Sequence, residues 1–268
     1  MILMNPFAPK TRLDSAIFER KLARSRSQAA MLIAEGKVKV NGIVATKASM
    51  AVDAGAVLEV TPAEFVGRGG QKLAHALKEF KIDPTGLTCA DVGSSTGGFT
   101  DCLLQRGARK VYAIDVGTGQ LDATLRSDAR VVVMESTDIR TVASLPEPID
   151  LAVIDVSFIS LSLVLPPVKK LLAPAGRIIT LIKPQFEVGK GRLGKQGVVK
   201  DEAARAEAIA KIEEYAKSLG FEAKGVIPSP ITGETGNVEY LFYASASSMP
   251  PTSSAASGSV ASATTPAK

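Results

Sequence analysis

The sequence predicts an α/β chain, a doubly wound and largely parallel sheet preceded by a small α+β module. Three observations carry this. Val111-Tyr112-Ala113-Ile114-Asp115, Val131-Val132-Val133-Met134, Leu151-Ala152-Val153-Ile154-Asp155 and Ile178-Ile179-Thr180-Leu181-Ile182 are near-continuous apolar runs, the pattern of parallel strands buried on both faces. Helix signals separate the runs, as in βαβ units. The first 60 residues differ in texture: nine Lys/Arg against five Asp/Glu give them +4 of the chain's +5. Such asymmetry fits a polyanion-binding module as well as it fits a solvated basic face.

Taken in order, residues 1–10 read as a loose arm. Leu13, Ile17 and Leu22 suggest a short helix. Ser25 is placed to cap a second, which turns Ala29, Leu32 and Ile33 inward and ends at Gly36 in left-handed geometry. Asn41-Gly42 between Val38-Lys39-Val40 and Ile43-Val44-Ala45 is a strong hairpin signal. Val57–Val60 reads as a further strand, and residues 61–68 as a linker. A helix is expected over Gln71–Phe80, a strand over Leu87–Ala90, and helices over Thr100–Arg106, Leu161–Leu172 and Glu202–Leu219. Residues 244–268 are almost wholly Ser, Ala, Thr, Pro and Gly, the composition of a disordered tail.

Composition narrows the function classes. The 268 residues are 46% hydrophobic and 22% charged, the values of an ordinary globular protein. No apolar run reaches the ~18 residues of a membrane span; Leu151 to Leu165 comes nearest and contains Asp155 and serines. The opening residues lack the charged start and apolar core of a secretory signal, so a cytoplasmic location is expected. Cys89 and Cys102 suggest no disulfide framework. His75 is the only histidine, which excludes a multi-histidine zinc site, and no metal is expected.

The most informative stretch is Asp91-Val92-Gly93-Ser94-Ser95-Thr96-Gly97-Gly98-Phe99-Thr100. A strand precedes it and a helix follows, which makes a cradle where backbone can approach a nucleotide-like ligand. Its spacing is not the G-x-G-x-x-G of dinucleotide sites. With an acidic residue two positions before the first glycine, it resembles the first motif of S-adenosylmethionine (SAM) methyltransferases. That likeness makes Asp91, Gly93, Ser95, Gly97, Gly98 and Phe99 the expected cofactor turn. Asp115, 24 residues after Asp91, is placed to accept from ribose hydroxyls, and Asp138 to reach the adenine amino group. Asp155 and Lys183 follow later strands, so all converge where open α/β sheets bind ligands, beyond the carboxyl ends of the strands. Gly189 to Lys195 matches G-x-x-x-x-G-K, but Gln196 replaces the required Ser/Thr and no clear strand precedes it, so a mobile basic substrate loop is the better reading.

Two resemblances sharpen this. Arg12-Leu13-Asp14, Leu22-Ala23-Arg24-Ser25-Arg26-Ser27-Gln28-Ala29, Ile33 and Gly36-Lys37-Val38-Lys39-Val40-Asn41-Gly42 resemble an S4 domain, an RNA-binding module. The likeness implies that Arg12, Arg24, Arg26, Ser27, Gln28 and Lys37 face RNA phosphates. Gly67-Arg68-Gly69-Gly70-Gln71-Lys72-Leu73, Ile154-Asp155-Val156-Ser157-Phe158, Ile182-Lys183-Pro184-Gln185-Phe186-Glu187 and Gly236-Asn237-Val238-Glu239-Tyr240, together with that start, resemble the TlyA family of ribosomal RNA 2′-O-methyltransferases, sometimes called haemolysins. The resemblance runs from about Arg12 to Tyr243. It implies an S4-like domain over 11–60 and a Rossmann-like, FtsJ-like SAM methyltransferase domain over 69–243, with Arg68 among the RNA contacts. It also implies a catalytic tetrad of Lys72, Asp155, Lys183 and Glu239, in which Asp155 also touches the cofactor. Lys183 is expected as the base or its equivalent, with Phe158 or Phe186 either stacking on a splayed-out base or filling core. The expected reaction is methyl transfer from SAM to a ribose 2′-hydroxyl of ribosomal RNA, on cytidine, with ribosomal subunits as partner and neither membrane nor protein partner. The alternatives are an RNA-binding assembly factor with a non-catalytic methyltransferase fold, and a haemolysin.

Overall fold

A computed structural model of the chain describes residues 10–247. The arm expected before Lys10 and the tail expected over 248–268 lie outside the described residues. The N-terminal module follows its turn chemistry. β1 (Thr11–Arg12) runs directly into α1 (Leu13–Glu19), and α2 (Arg26–Ala34) starts at Ser25, whose Oγ accepts the Gln28 N–H. α2 stops at Gly36, with φ of 68°. β2 (Val38–Val40) and β3 (Ile43–Val44) close through Asn41 and Gly42, at φ 51° and 81°, the two positive values a type I′ turn requires. β4 (Ala51–Val52) pairs with β1 and β5 (Leu58–Val60) with β2, both antiparallel. The β1–β4 pair has no sequence signature, because two-residue strands carry no periodicity. Leu13, Ile17, Ala29, Leu32, Ile33, Val38 and Val40 form a core of their own under this module.

The larger part begins with α3 (Gly69–Glu79) and then alternates: β6 (Thr88–Val92), α4 (Gly98–Gln105), β7 (Lys110–Ile114), α5 (Ala123–Arg126), β8 (Val131–Met134), β9 (Ile149–Ile154), α6 (Leu161–Leu171), β10 (Leu172–Ile182), α7 (Pro184–Glu187), α8 (Glu202–Ser218), β11 (Phe221–Pro228) and β12 (Tyr240–Ala246). One seven-stranded sheet results, ordered β11-β12-β10-β9-β6-β7-β8. The five strands from β10 to β8 are parallel; β12 is antiparallel to both β10 and β11. Leu73, Leu77, Leu103 and Leu125 of α3, α4 and α5 cover one face. Leu161, Leu165, Val168 and Ile212 of α6 and α8 cover the other. Double coverage is why the central strands read as unbroken apolar runs.

The antiparallel edge is where the structure departs from the expected elements. β11 carries Lys224, Gly225 and Pro228, residues typical of an edge strand and absent from the buried-run pattern. β12 runs on through Ala244, Ser245 and Ala246, which the composition had assigned to the tail. Ala244 is fully buried between Ile178 and Ala223. Its small side chain marks close packing and not disorder. Leu172, expected to end a helix, opens β10 instead, with a register shift before Arg177. Among the described residues, no helix is long and apolar enough to cross a membrane.

The edge yields a test. A chain ended at Tyr243 loses the Ala244–Ala246 pairings that a chain ended at Ser247 keeps. The shorter chain should melt lower, by about 2–4 °C per kcal/mol of pairing lost in a domain of this size. Equal melting temperatures in calorimetry would show that these residues add nothing to the sheet.

Candidate active site

Three neighbouring parallel strands end at one place, where Gly93 follows β6, Asp155 follows β9 and Lys183 follows β10. Their carboxyl ends open into a cleft of about 1110 Å³ that also takes in α3, the segment before β12 and the start of α2. Gly93 sits at φ +86°, and a Cβ there would run into the Asp155 carbonyl oxygen, so the floor of the cleft is backbone against backbone. Gly97 has φ +96° and faces Leu121 and Leu125, which a Cβ would strike. The turn therefore needs glycine at both positions, for conformation and for space.

Asp91 anchors the turn from beneath. It is fully buried, and its Oδ2 accepts from Thr100 N–H (2.9 Å) and Oγ1 (2.7 Å). Its Oδ1 has no partner although Asp91 lines the cleft. Burial pushes this carboxyl up to about 7, against the pull of the two Thr100 bonds. An unpaired buried acceptor beside a glycine turn fits a ligand that brings a donor or a positive charge, as SAM does. Asp115 stands at the end of β7, where its oxygens accept from the Ser95 and Gly117 N–H groups, 2.7 Å each; it braces the turn.

Four charged side chains meet in a row across the cleft. Glu239 Oε2 accepts from Lys72 Nζ at 2.7 Å; Lys72 Nζ lies 3.9 Å from Asp155 Oδ2; Asp155 Oδ1 lies 2.7 Å from Lys183 Nζ. Lys183 also donates to Ser157 Oγ at 2.8 Å. Lys72 and Lys183 are only 8% and 9% exposed. A buried ammonium needs charge compensation, and alternation gives each lysine a carboxylate. α3, β9, β10 and the segment before β12 supply one member each, so all four expected tetrad residues come together. Beside them Phe158 is 92% exposed and held at φ 64°, with its ring 5.4 Å from Phe186. A non-glycine residue held there costs of order 1–3 kcal/mol, and such strain collects at functional sites.

The other expected residues divide. Asp91, Gly93, Ser95, Gly98, Phe99 and Asp155 line the cleft; Gly97 and Asp115 support it from behind. Asp138 is not brought there. Its carboxylate caps the turn at Ile139 and pairs with Arg140 at 2.5 Å, which commits it locally. Arg24, Ser27, Gln28 and Arg68 reach the cleft mouth. Arg24 lies 3.5 Å from Asp122 and donates to Thr124 Oγ1 at 3.3 Å, while Arg68 contacts Glu234 at 3.3 Å. Arg12 and Arg26 lie away from the cleft, both paired with buried Asp14. The guanidinium of Arg12 leads the forces that lower the Asp14 carboxyl to about 2. Lys37 pairs with Glu35 at 2.8 Å. Sequence reasoning missed Thr100, Ser157, Gln185 and the Asp122–Thr124 segment. Thr100 had a signal in its hydroxyl at the start of the helix after the turn, and Ser157 and Gln185 stood inside the family-like segments; the Asp122–Thr124 segment had none.

Asp91 gives a pH test with a definite sign. Its folded pKa lies above the unfolded 3.8. Its stabilising contribution is therefore complete below about pH 4 and is lost as pH rises through about 7, at no more than ~1.4 kcal/mol per unit. In urea titrations, Asp91→Asn should gain stability relative to the parent between pH 4 and 7. A constant difference across that range would mean that Asp91 titrates normally.

Comparison with known proteins identifies the family. Residues 65–246 match the FtsJ-like methyltransferase family and residues 11–58 match the S4 domain. The 16S/23S rRNA (cytidine-2′-O)-methyltransferase TlyA of Mycobacterium tuberculosis is 47% identical over 241 residues, covering 88% of this chain and 90% of its own. A solved structure from Streptococcus thermophilus that carries a hemolysin name superposes with TM-score 0.72 at 38% identity, covering 90% of each chain. The S-adenosylmethionine dependent methyltransferase of Mesorhizobium loti shares the fold alone, with TM-score 0.51 at 17% identity over 67% of this chain and all of that one. The FtsJ-like family uses SAM, and with its S4 domain, its FtsJ-like domain and 47% identity over most of its length to a TlyA protein this chain belongs to the TlyA family.

Proposed function

We propose that this protein transfers a methyl group from SAM to the 2′-hydroxyl of a cytidine in ribosomal RNA, in the cytoplasm, with ribosomal subunits as its partner. The observation that carries the reading is the alternating Glu239–Lys72–Asp155–Lys183 row at the strand ends, next to the glycine turn. The names of the relatives support the substrate, and the S4 domain supports RNA. An assembly factor with a vestigial fold would have no need to keep two lysines buried and compensated. A haemolytic reading rests on names alone.

The residues suit the chemistry. A ribose hydroxyl is a weak nucleophile at neutral pH and needs a proton acceptor or a cation beside its developing oxyanion. Bound SAM supplies a methyl already activated on a sulfonium. In its neutral amine form Lys183 would take the hydroxyl proton at Nζ; as an ammonium it would instead hold its positive charge against the oxyanion. Asp155 and Ser157 fix that nitrogen, and Lys72, fixed by Glu239, supplies the second cation of the row. The cleft's remaining task is alignment of the two reacting groups. Phe158, exposed beside Lys183, is suited to stack on a base lifted out of its RNA context.

Two experiments test this. Lys183→Ala should lower methyl transfer by on the order of 10²–10⁴-fold while SAM binding by calorimetry stays near the parent value. Lys183→Arg should also fail, because arginine keeps its proton. Substantial activity in the arginine variant would make Lys183 a fixed charge and not a base, and an active alanine variant would sink the assignment. Separately, Arg12→Ala with Arg26→Ala should weaken RNA binding and flatten its dependence on salt, since each lost phosphate contact releases fewer counterions. Unchanged RNA affinity would remove these arginines from the docking surface. Mapping of 2′-O-methyls in ribosomal RNA from cells with and without the protein decides the substrate.

A further inference from the structure

Glu187 lies outside the charged row, yet it is 7% exposed and has strong partners. Its Oε1 accepts the Leu161 N–H at 2.8 Å and its Oε2 accepts the Ser160 hydroxyl at 2.6 Å. Lys211 of α8 lies 3.6 Å from Oε2 and donates to the Glu187 carbonyl at 3.0 Å. These contacts join two segments that each carry a member of the row. One is the short helix α7, which Lys183 opens. The other runs from Asp155 through Ser157 and Phe158 to Ser160, the N-cap of α6. At one end the two segments meet through Lys183, which contacts Asp155 and donates to Ser157. At the other end they meet only through Glu187, among the hydrogen bonds and ion pairs of the described residues.

Between these ties lies Phe158, exposed and in left-handed backbone geometry. Such a conformation persists only when its surroundings over-determine it. β9 holds the segment on one side. On the other side the fixed point is the start of α6, which a buried carboxylate clamps by both its backbone N–H and its capping hydroxyl.

We infer that Glu187 is a positioning residue for methyl transfer. It clamps the Ser157–Ser160 segment so that Ser157 stays under the Lys183 ammonium and Phe158 stays presented to the cleft. This rests on the assignment of Lys183 and Asp155 to the reaction.

The test uses the full chain with Glu187→Gln, Glu187→Ala and Ser160→Ala. Val111→Ala, a core change at the far end of the sheet, serves as the control for loss of stability. Three quantities are read: kcat and KM on ribosomal subunits, SAM affinity, and hydrogen exchange of residues 156–162. Glutamine can still accept the Leu161 N–H, whereas alanine cannot. The expected order of kcat is therefore parent, Gln, Ala, with the alanine variant down by on the order of 10²-fold, as for a misplacement of about 1 Å. RNA KM and SAM affinity should stay within about threefold. Exchange should rise in the Glu187 and Ser160 variants and not in Val111→Ala. If kcat per folded molecule stays within twofold of the parent, or if kcat falls equally in the control at equal loss of melting temperature, Glu187 is structural only. Should the parent fail to methylate ribosomal RNA, the methyltransferase reading falls by itself. Hydrogen exchange then still decides the clamp, because unchanged exchange in Glu187→Ala overturns it. Ser160→Ala removes one of the two clamp bonds without emptying a buried site, so it answers the question even if the Glu187 variants do not fold.

Discussion

Two lysines are taken almost wholly out of water at the carboxyl ends of a parallel sheet, and much of the architecture answers to them. Each ammonium must find a negative partner at short range, because the desolvation of an uncompensated charge runs to several kcal/mol. The sequence of charges Glu239, Lys72, Asp155, Lys183 does this with no surplus of either sign. It also obliges four segments far apart in the chain to meet. α3 must lie across the sheet ends, and the turn between β11 and β12 must fold back over the cleft to deliver Glu239. Asn237, almost completely buried, helps to secure that return by accepting the Val199 N–H and donating to the Gly197 carbonyl.

The glycine turn and the charged row share one wall. Gly93 approaches the backbone of Asp155 too closely for any side chain, so the cofactor turn and the second carboxylate of the row are set by the same contact. Asp91 beneath the turn keeps one oxygen unpaired, while each oxygen of Asp115 beside it accepts one backbone N–H. The turn is thus braced from one side and left with an open acceptor on the other. A ligand that fills that acceptor recovers the cost of leaving it unpaired.

The S4 domain is not an independent appendage. Arg24, Ser27 and Gln28, at the start of α2, form part of the cleft mouth. Arg24 reaches Asp122, whose own N–H donates to the Thr96 carbonyl in the cofactor turn. One guanidinium of the S4 domain therefore sits two contacts from the glycine turn. Arg12 and Arg26 instead share Asp14, a carboxylate that is held ionised and keeps both heads at the surface. The same residue type serves the junction between domains in one case and the outer face in the others.

By itself the sequence determined what local pattern can encode. Double-sided burial wrote the central parallel strands as apolar runs, although the edge strand β8 reads the same way with Val132 exposed; Asn41-Gly42 wrote the hairpin, Ser25 wrote the helix cap, and the spacing of Asp91, Gly93, Gly97 and Gly98 wrote the glycine turn. Asp155 and Lys183 were legible as residues at the carboxyl ends of neighbouring apolar runs, whereas Lys72 and Glu239 were legible only through family likeness, because nothing in their spacing declares that they meet the other two. Tertiary structure alone decided the antiparallel edge, where Ala244 is buried by neighbours 66 and 21 residues away in sequence (Ile178 and Ala223) and small residues that read as tail became strand. It also brought Asp155 within 2.7 Å of Lys183, 28 residues on in the chain. The physical reason is the same throughout. Periodicity and turn preference act between neighbours in the chain, whereas the partner of a buried charge is chosen by whichever group the completed fold brings within about 4 Å of it.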